Sequence, residues 1–266
     1  MSIQPRPGTG VRVQRLRPAM GTWVAIEARA FTEGVPLAGV EAAYLAVGEV
    51  ERQLHPHREG SDIRRLNDAQ PGEQVPMGIL ASEVLRLARS VYEISGGIFD
   101  PCLPSRPGRL CDLTLSQPGM GSAWASHVVP LALDLGGIAK GYAIDQGIEA
   151  MRAAGCTGGV VNAGGDLRVF GCSETVLVRA RDGHCVPVTL NDEALAVSDL
   201  DVDLAGRPAE HRGYYDRSGP LLVTRRSAAV LAASAAIADA LTKCALLARP
   251  QRALHALRSF HARLIS

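Results

Sequence analysis

The sequence predicts a mixed α/β (α+β) chain folded as one domain, with two lobes around a central site as its expected variant. Three observations predict it. Short apolar runs rich in Val, Ile, Leu and Ala alternate with longer stretches of helical periodicity. Glycine pairs punctuate the junctions between them. The 266 residues are 47% hydrophobic, enough to bury a substantial core.

The elements follow in order. Residues 1–18 read as a polar, proline-bearing N-terminal extension, 19–250 as the main domain and 251–266 as a C-terminal helix packed on it. Residues 23–30 read as a strand and 35–54 as an amphipathic helix. Ser61 reads as the N-cap of a short helix ending near Asn67, since a serine hydroxyl can accept from the first free amides. Residues 77–94 place Ile79, Leu80, Val84, Leu87, Val91 and Ile94 near one helical face, and Gly96-Gly97 ends that helix. Residues 101–125, rich in Pro, Gly and Ser, read as a loop over a site. A buried strand is expected at 131–135 and a helix at 138–154, closed by Gly155. Short strands follow at 159–163, 167–170, 176–180 and 194–198, then a loop at 207–219, a strand at 228–232 and an apolar helix over 231–247. Leu254, Leu257, His261 and Leu264 suggest a final amphipathic helix turned toward the core.

Composition excludes several classes. A net charge of +1 and no basic run with interleaved aromatics argue against a nucleic-acid binder. No apolar stretch is long enough to span a bilayer. The opening residues lack the apolar centre of a secretory signal, so the expected location is cytoplasmic. The six cysteines show no Cys-x-x-Cys spacing and read as free packing residues; a Cys102–Cys111 bridge is the alternative in an oxidising compartment. No Gly-x-Gly-x-x-Gly follows the first strand, which disfavours a Rossmann oxidoreductase.

Three segments carry chemistry. In Leu133–Asp145, Asp134 precedes Gly136-Gly137 and a helix start. Glycines lack a Cβ and let a backbone approach a ligand, and a helix N-terminus suits phosphate. Lys140 adds a cation in the first turn, where the helix dipole disfavours one, so an anionic ligand is the alternative to a structural turn. The second segment, Gly158–Asp166, holds Asn162 and Asp166 around Gly164-Gly165 and reads as a binding loop or a hairpin turn. The third is Asp239 in an otherwise small and apolar helix. Burying that acid requires a metal or a partner. Thr242, three residues on, shares its face and could join it on Mg²⁺, while Lys243 at i+4 could pair with it instead. Asp199, Asp201 and Asp203 alternate, which reads more simply as a solvated face than as a cation site.

Together these segments resemble the ApbE family, the FAD:protein FMN transferases, from about Met20 to Leu247. Met20-Gly21-Thr22, residues 55–67 ending in Leu66-Asn67, Gly96-Gly97-Ile98-Phe99-Asp100-Pro101, Asp134–Asp145 and Asn162–Asp166 are similar to five ordered family motifs. The resemblance implies a single flavin-transferase domain. It implies Mg²⁺-dependent cleavage of the FAD pyrophosphate, transfer of FMN to a Thr or Ser hydroxyl of an acceptor protein, and release of AMP. It further implies FAD contacts from Met20, His57, Ile98, Phe99, Asp100, Asp134 and Lys140, and metal ligation by the Gly137 carbonyl, Asp239 and Thr242. Asp239 and Lys140 would be catalytic.

Two departures stand out. Where the family reads Ala-Asp-Ala-Leu-x-Thr, this chain has Lys243 in the threonine's place, and a charged ammonium has no lone pair for a metal. Either Thr242 supplies the hydroxyl or Lys243 partly takes the metal's electrostatic role. The family's His-x-x-Asp-Pro-x-x-Gly segment is reduced to Gly213–Gly219, without Pro and with His211 out of register. A flavin-nucleotide binder without catalysis, or an FAD pyrophosphatase giving FMN and AMP, are the alternatives these departures leave open.

Overall fold

The computed structural model describes residues 10–116, 123–179, 184–199 and 227–265. Its main sheet begins with β1 (Val11–Ala19), β2 (Thr22–Ala30), β6 (Gly158–Ala163) and β7 (Asp166–Phe170). It continues through β10 (Ala194–Asp199), β11 (Ser227–Ala232) and β12 (Arg263–Leu264). Every pairing in it is antiparallel, so the mixed architecture takes its α+β form. One face carries α1 (Val35–Leu54) and α4 (Ala139–Ala153). Val24, Ile26 and Ala28 pack there against Val40 and Ala43 of α1 and Ile144, Ile148 and Met151 of α4. The opposite face is covered by the ribbon of β8 (Ser173–Arg179) and β9 (Cys185–Asn191). Leu167, Val169, Leu195 and Leu231 meet Val178, Val188 and Leu190 across it. Strand period two therefore turns Leu167 and Val169 to the ribbon, and Asp166 and Arg168 to the helices.

A second core gathers α2 (Asp62–Asp68), α3 (Ile79–Ser95), α5 (Ala235–Leu247) and α6 (Pro250–Ser259) around Ile63, Leu66, Leu85, Leu241 and Leu257. Ser61 caps α2 as expected, its Oγ accepting from the Arg64 amide at 3.0 Å. Gly96 ends α3 with φ 65°, a left-handed conformation that glycine adopts without steric cost.

The structure departs from the sequence reading at several elements. Val11–Ala19, read as an extension, is an edge strand paired along its whole length with β2. None of its residues is buried and Leu16 is exposed, so hydrophobic patterning is weak. Residues 101–125, read as loop, contain β4 (Leu113–Leu115) and the start of β5 (Trp124–His127), which join β3 (Val75–Pro76) in a three-stranded sheet. Residues 131–135 join no sheet as a strand. A single bridge, Leu133 to Cys102, and the two ends of the Asn67 side chain hold them extended: Asn67 Nδ2 donates to the Leu133 carbonyl at 2.9 Å and Oδ1 accepts its amide at 2.7 Å. The last helix stops at Ser259; Leu254 is exposed while Leu257 is buried, and His261 and Leu264 lie beyond the helix. The loop at 207–219, the Gly213–Gly219 segment, Asp201 and Asp203 lie outside the described residues.

Among the described residues, no helix is long and apolar enough to cross a membrane. No disulfide joins the six cysteines: Cys102, Cys156 and Cys244 are buried, and Cys111 and Cys185 exposed. Burial pushes the Cys244 thiol up to about 12. Only a thiolate is nucleophilic, so an aromatic disulfide reagent at neutral pH is expected to label Cys111 and Cys185 promptly and Cys244 only after denaturation. Peptide mapping checks this; prompt native labelling of Cys244 would contradict its packing.

Candidate functional site

The site forms where α4 begins, at the meeting of α5, the start of β7 and the end of β10. Three backbone devices build it. The first is the contact of α4 with α5. A Cβ placed on Gly141 would lie 2.2 Å from the Ala235 carbonyl oxygen and 2.7 Å from the Ala236 Cα, so only glycine permits the approach. The second is Asp145, one turn further along α4. Its carboxylate accepts the Ala235 and Ala236 amides, each at 2.9 Å, and the Ser234 hydroxyl at 2.7 Å. It thus caps the N-terminus of α5 from another helix, where free amides and the dipole favour a negative charge. Arg168 pairs with it at 2.8 Å. The third is a pair of two-residue hairpins with positive φ at both central positions: Gly164 (62°) and Gly165 (99°) between β6 and β7, and Met20 (53°) and Gly21 (69°) between β1 and β2. Both are the turn whose twist suits a hairpin. The second glycine cluster is therefore a hairpin, and its Asn162 Oδ1 accepts the Gly165 amide at 3.1 Å. Met20 holds a left-handed conformation that disfavours side chains by roughly 1–2 kcal/mol, and its side chain packs on the second core.

On this frame two lysine–aspartate pairs converge. Lys140, in the first turn of α4, is hydrogen-bonded through Nζ to Asp166 at the start of β7. Asp166 is buried, and its other oxygen accepts the Val197 amide at 2.9 Å. Burial draws the Lys140 ammonium below the usual lysine range; the Asp239 charge opposes that shift and the Lys243 charge adds to it. Asp239, fully buried in α5, is bonded through Oδ1 to Lys243 Nζ, and its Oδ2 accepts the Gly141 amide at 3.3 Å. That amide belongs to the first turn of α4, whose amides have no partner within the helix. Ser198, at the end of β10, accepts from Lys243 Nζ at 3.1 Å and lies 2.7 Å from Thr242 Oγ1. Thr242 in turn donates to the Asp239 carbonyl at 2.6 Å.

The Gly136-Gly137 turn opens onto this cluster. Asp134 Oδ1 accepts the Gly136 amide at 2.8 Å and so fixes the turn. A Cβ on Gly137 would sit 3.4 Å from both Lys243 Cε and a Phe99 ring carbon. Phe99 is buried and Ile98 and Asp100 partly so; Asp100 Oδ1 accepts the Cys102 amide at 3.0 Å. The Asp134 amide donates to the Pro101 carbonyl at 2.9 Å, which ties the Phe99–Pro101 run to the glycine turn. His57 stands apart from this network, exposed, with its ring edge-on to His55 at 6.0 Å.

The structure thus brings Gly137, Lys140, Asp239, Thr242, Phe99 and Asp134 into one region. It adds residues the sequence reading did not assign: Asp145, Asp166, Arg168, Ser198 and Gly141. Asp145 and Asp166 each end a glycine-bearing motif, and an acid at such a place was the available signal. Ser198 and Arg168 had none, since only the sheet register brings them here. The donor set implied for Mg²⁺ does not fit that ion as arranged. One Asp239 oxygen holds an ammonium and the other an amide, and the Thr242 hydroxyl is engaged both by its own helix and by Ser198. Among the described residues, no group of three or more His, Cys, Asp or Glu side chains could hold a metal.

Solved structures share this architecture. The chain superposes on the apo flavinyl transferase ApbE of Pseudomonas stutzeri with TM-score 0.79 and 18% identity, over 98% of this chain and 92% of that one. The flavin transferase ApbE of Vibrio cholerae gives 0.78 and 18%, over 96% and 93%. The ApbE protein of Thermotoga maritima gives 0.77 and 20%, over 96% and 93%. These likenesses define the fold as that of the flavin transferases. The ApbE family model matches residues 20–106 and 112–265, and the chain belongs to the ApbE family. A curated FAD:protein FMN transferase of Rhodobacter capsulatus is 27% identical over 57% of this chain, which spans about a third (33%) of that relative's length.

The α4–α5 contact yields two expectations. Gly141→Ala should cost at least about 1–3 kcal/mol through overpacking against backbone, read as a lower urea midpoint at unchanged slope. Asp145→Ala should cost about 3–5 kcal/mol, because it takes the close partner from Arg168 and strands the first amides of α5. A midpoint unchanged in either variant would contradict the packing described.

Proposed function

We propose that this chain transfers FMN from FAD to a Thr or Ser hydroxyl of an acceptor protein and releases AMP. The observation that carries the reading is the pair of partly buried cations, Lys140 and Lys243, set beside the Gly136-Gly137 turn. Membership of the ApbE family and the name of the curated relative support the same reaction. FAD would lie with its diphosphate at the glycine turn and its flavin half toward Met20, His57, Ile98, Phe99, Asp100 and Asp134.

Phosphoryl-type transfer depends on positioning and on neutralising charge. The acceptor oxygen attacks the phosphorus on the FMN side of the diphosphate and forms the new P–O bond. The bond from that phosphorus to the bridging oxygen breaks, and its electron pair leaves with AMP. The hydroxyl proton passes to solvent. Lys140, oriented by Asp166, neutralises charge developing on the diphosphate. Asp239 orients Lys243 toward the same group.

The test is incubation with FAD and an acceptor bearing an Asp-x-x-Ser/Thr-Gly-Ala-Thr segment, with AMP and acceptor-bound flavin measured together. Equimolar AMP and labelled acceptor are expected. AMP without labelled acceptor would replace the reading with a pyrophosphatase, and bound FAD without AMP would replace it with a binding protein. Asp239→Asn keeps the shape and removes the charge; it should slow turnover at least about tenfold while FAD still binds.

A further inference from the structure

We propose that Lys243 Nζ is a built-in cation standing where a divalent metal would otherwise lie, so that this chain binds the diphosphate of a flavin dinucleotide without metal. The inference rests on the flavin-transfer reading for its ligand and on geometry for its mechanism.

The hydrogen-bond directions can be assigned in full. Thr242 has one hydroxyl hydrogen, and it goes to the Asp239 carbonyl at 2.6 Å. In the 2.7 Å contact with Ser198, Thr242 is therefore the acceptor and Ser198 the donor. Ser198 has then spent its hydrogen and accepts from Lys243 Nζ at 3.1 Å. Lys243 also donates to Asp239 Oδ1. A continuous chain runs from the ammonium through Ser198 and Thr242 to the backbone of α5, each polar atom satisfied.

Three consequences follow. The hydroxyl expected on a metal is the middle of that chain, and turning it outward would leave the Ser198 hydroxyl without its acceptor in a buried place. The carboxylate expected on a metal already has a cation, held at i,i+4 on the same helix with its side chain only 15% exposed. An ammonium has three donors, and two are used among the described residues, which leaves one for a phosphate oxygen. Its direction is set by its stem: Lys243 Cε and Cδ run 3.4 and 3.9 Å from the Gly137 Cβ position, along the turn that receives the diphosphate. Lys243 is thus a point charge delivered to the glycine turn, with Asp239 as its positioning partner rather than a metal ligand.

The experiment has a metal arm and a nucleotide arm. Wild-type protein is titrated with Mn²⁺ and followed by electron paramagnetic resonance, and FAD binding is followed by flavin polarisation in EDTA and in excess Mg²⁺. No one-to-one Mn²⁺ site and equal FAD affinity in both buffers are expected. Lys243→Thr should weaken FAD binding in EDTA by about tenfold or more, the loss of one charge-assisted contact, and Mg²⁺ should restore it. Lys243→Arg, which keeps the charge, should remain indifferent to EDTA. The proposal is overturned by a Mn²⁺ site in the wild type that Asp239→Asn abolishes, or by a wild-type FAD affinity that falls tenfold in EDTA. The wild-type measurements decide it even where a variant does not fold. FAD that binds under no condition would sink the flavin-transfer reading, while the Mn²⁺ titration would still decide the role of Lys243.

Discussion

The approach of α4 to α5 at Gly141 is the constraint on which the site depends. It brings the Asp239 carboxylate within reach of a backbone amide of α4, and it sets the Lys140 and Lys243 ammonium groups in one field. Gly141 permits the approach sterically, and Asp145 fastens it by capping α5 from four residues further along α4. The two residues do different work on the same contact. Removing space at Gly141 would push the helices apart, and removing charge at Asp145 would leave a helix end uncapped and Arg168 with only its 3.7 Å contact to the exposed Glu149.

Strand β7 supplies the other half of the frame through its period of two. Asp166 and Arg168 point to the same face and take opposite roles, one holding Lys140 and the other holding Asp145. A shift of one residue in register would turn both into the ribbon-covered core in place of Leu167 and Val169 and undo both pairs at once. The hairpin at Gly164-Gly165 fixes that register, because a two-residue turn leaves Ala163 opposite Asp166 and no slack. The glycine cluster acts on the site through its geometry and through the acid at its end.

Legibility in the sequence followed the range of the interaction. Helix α1 was bounded correctly, and α2 with its Ser61 cap nearly so, because caps and periodicity are local signals. Edge strand β1 was missed because one of its faces is wet, and the small sheet of β3, β4 and β5 because its strands are too short to show alternation. Residues 131–135 read as a strand and are extended, yet what holds them is the Asn67 side chain, 66 residues distant in sequence, together with two backbone bonds to residues 101–103. At the site, Lys140, Asp239 and the glycine turn were visible as chemistry in the wrong place: a cation at a helix start and an acid in an apolar helix. Their partners were less so. Asp166 had been noticed without a role, and Ser198 carried no signal because only sheet register brings it to α5.

The competing readings of the third segment turn on what one buried carboxylate can hold. Asp239 with a metal and Asp239 with Lys243 are alternatives for the same oxygen. A divalent ion brings two charges and demands near-octahedral oxygen ligands; an ammonium brings one and needs only acceptors. The chain has arranged acceptors, with Ser198 and Asp239 receiving from Lys243 and Thr242 facing inward. Two lysines against a diphosphate balance its two negative charges, but each lysine already faces a buried aspartate. On the flavin-transfer reading proposed above, a nucleotide would not meet bare cations. It would meet ammonium groups held in fixed directions by the two aspartates, an arrangement in which the acids set geometry and the lysines supply attraction.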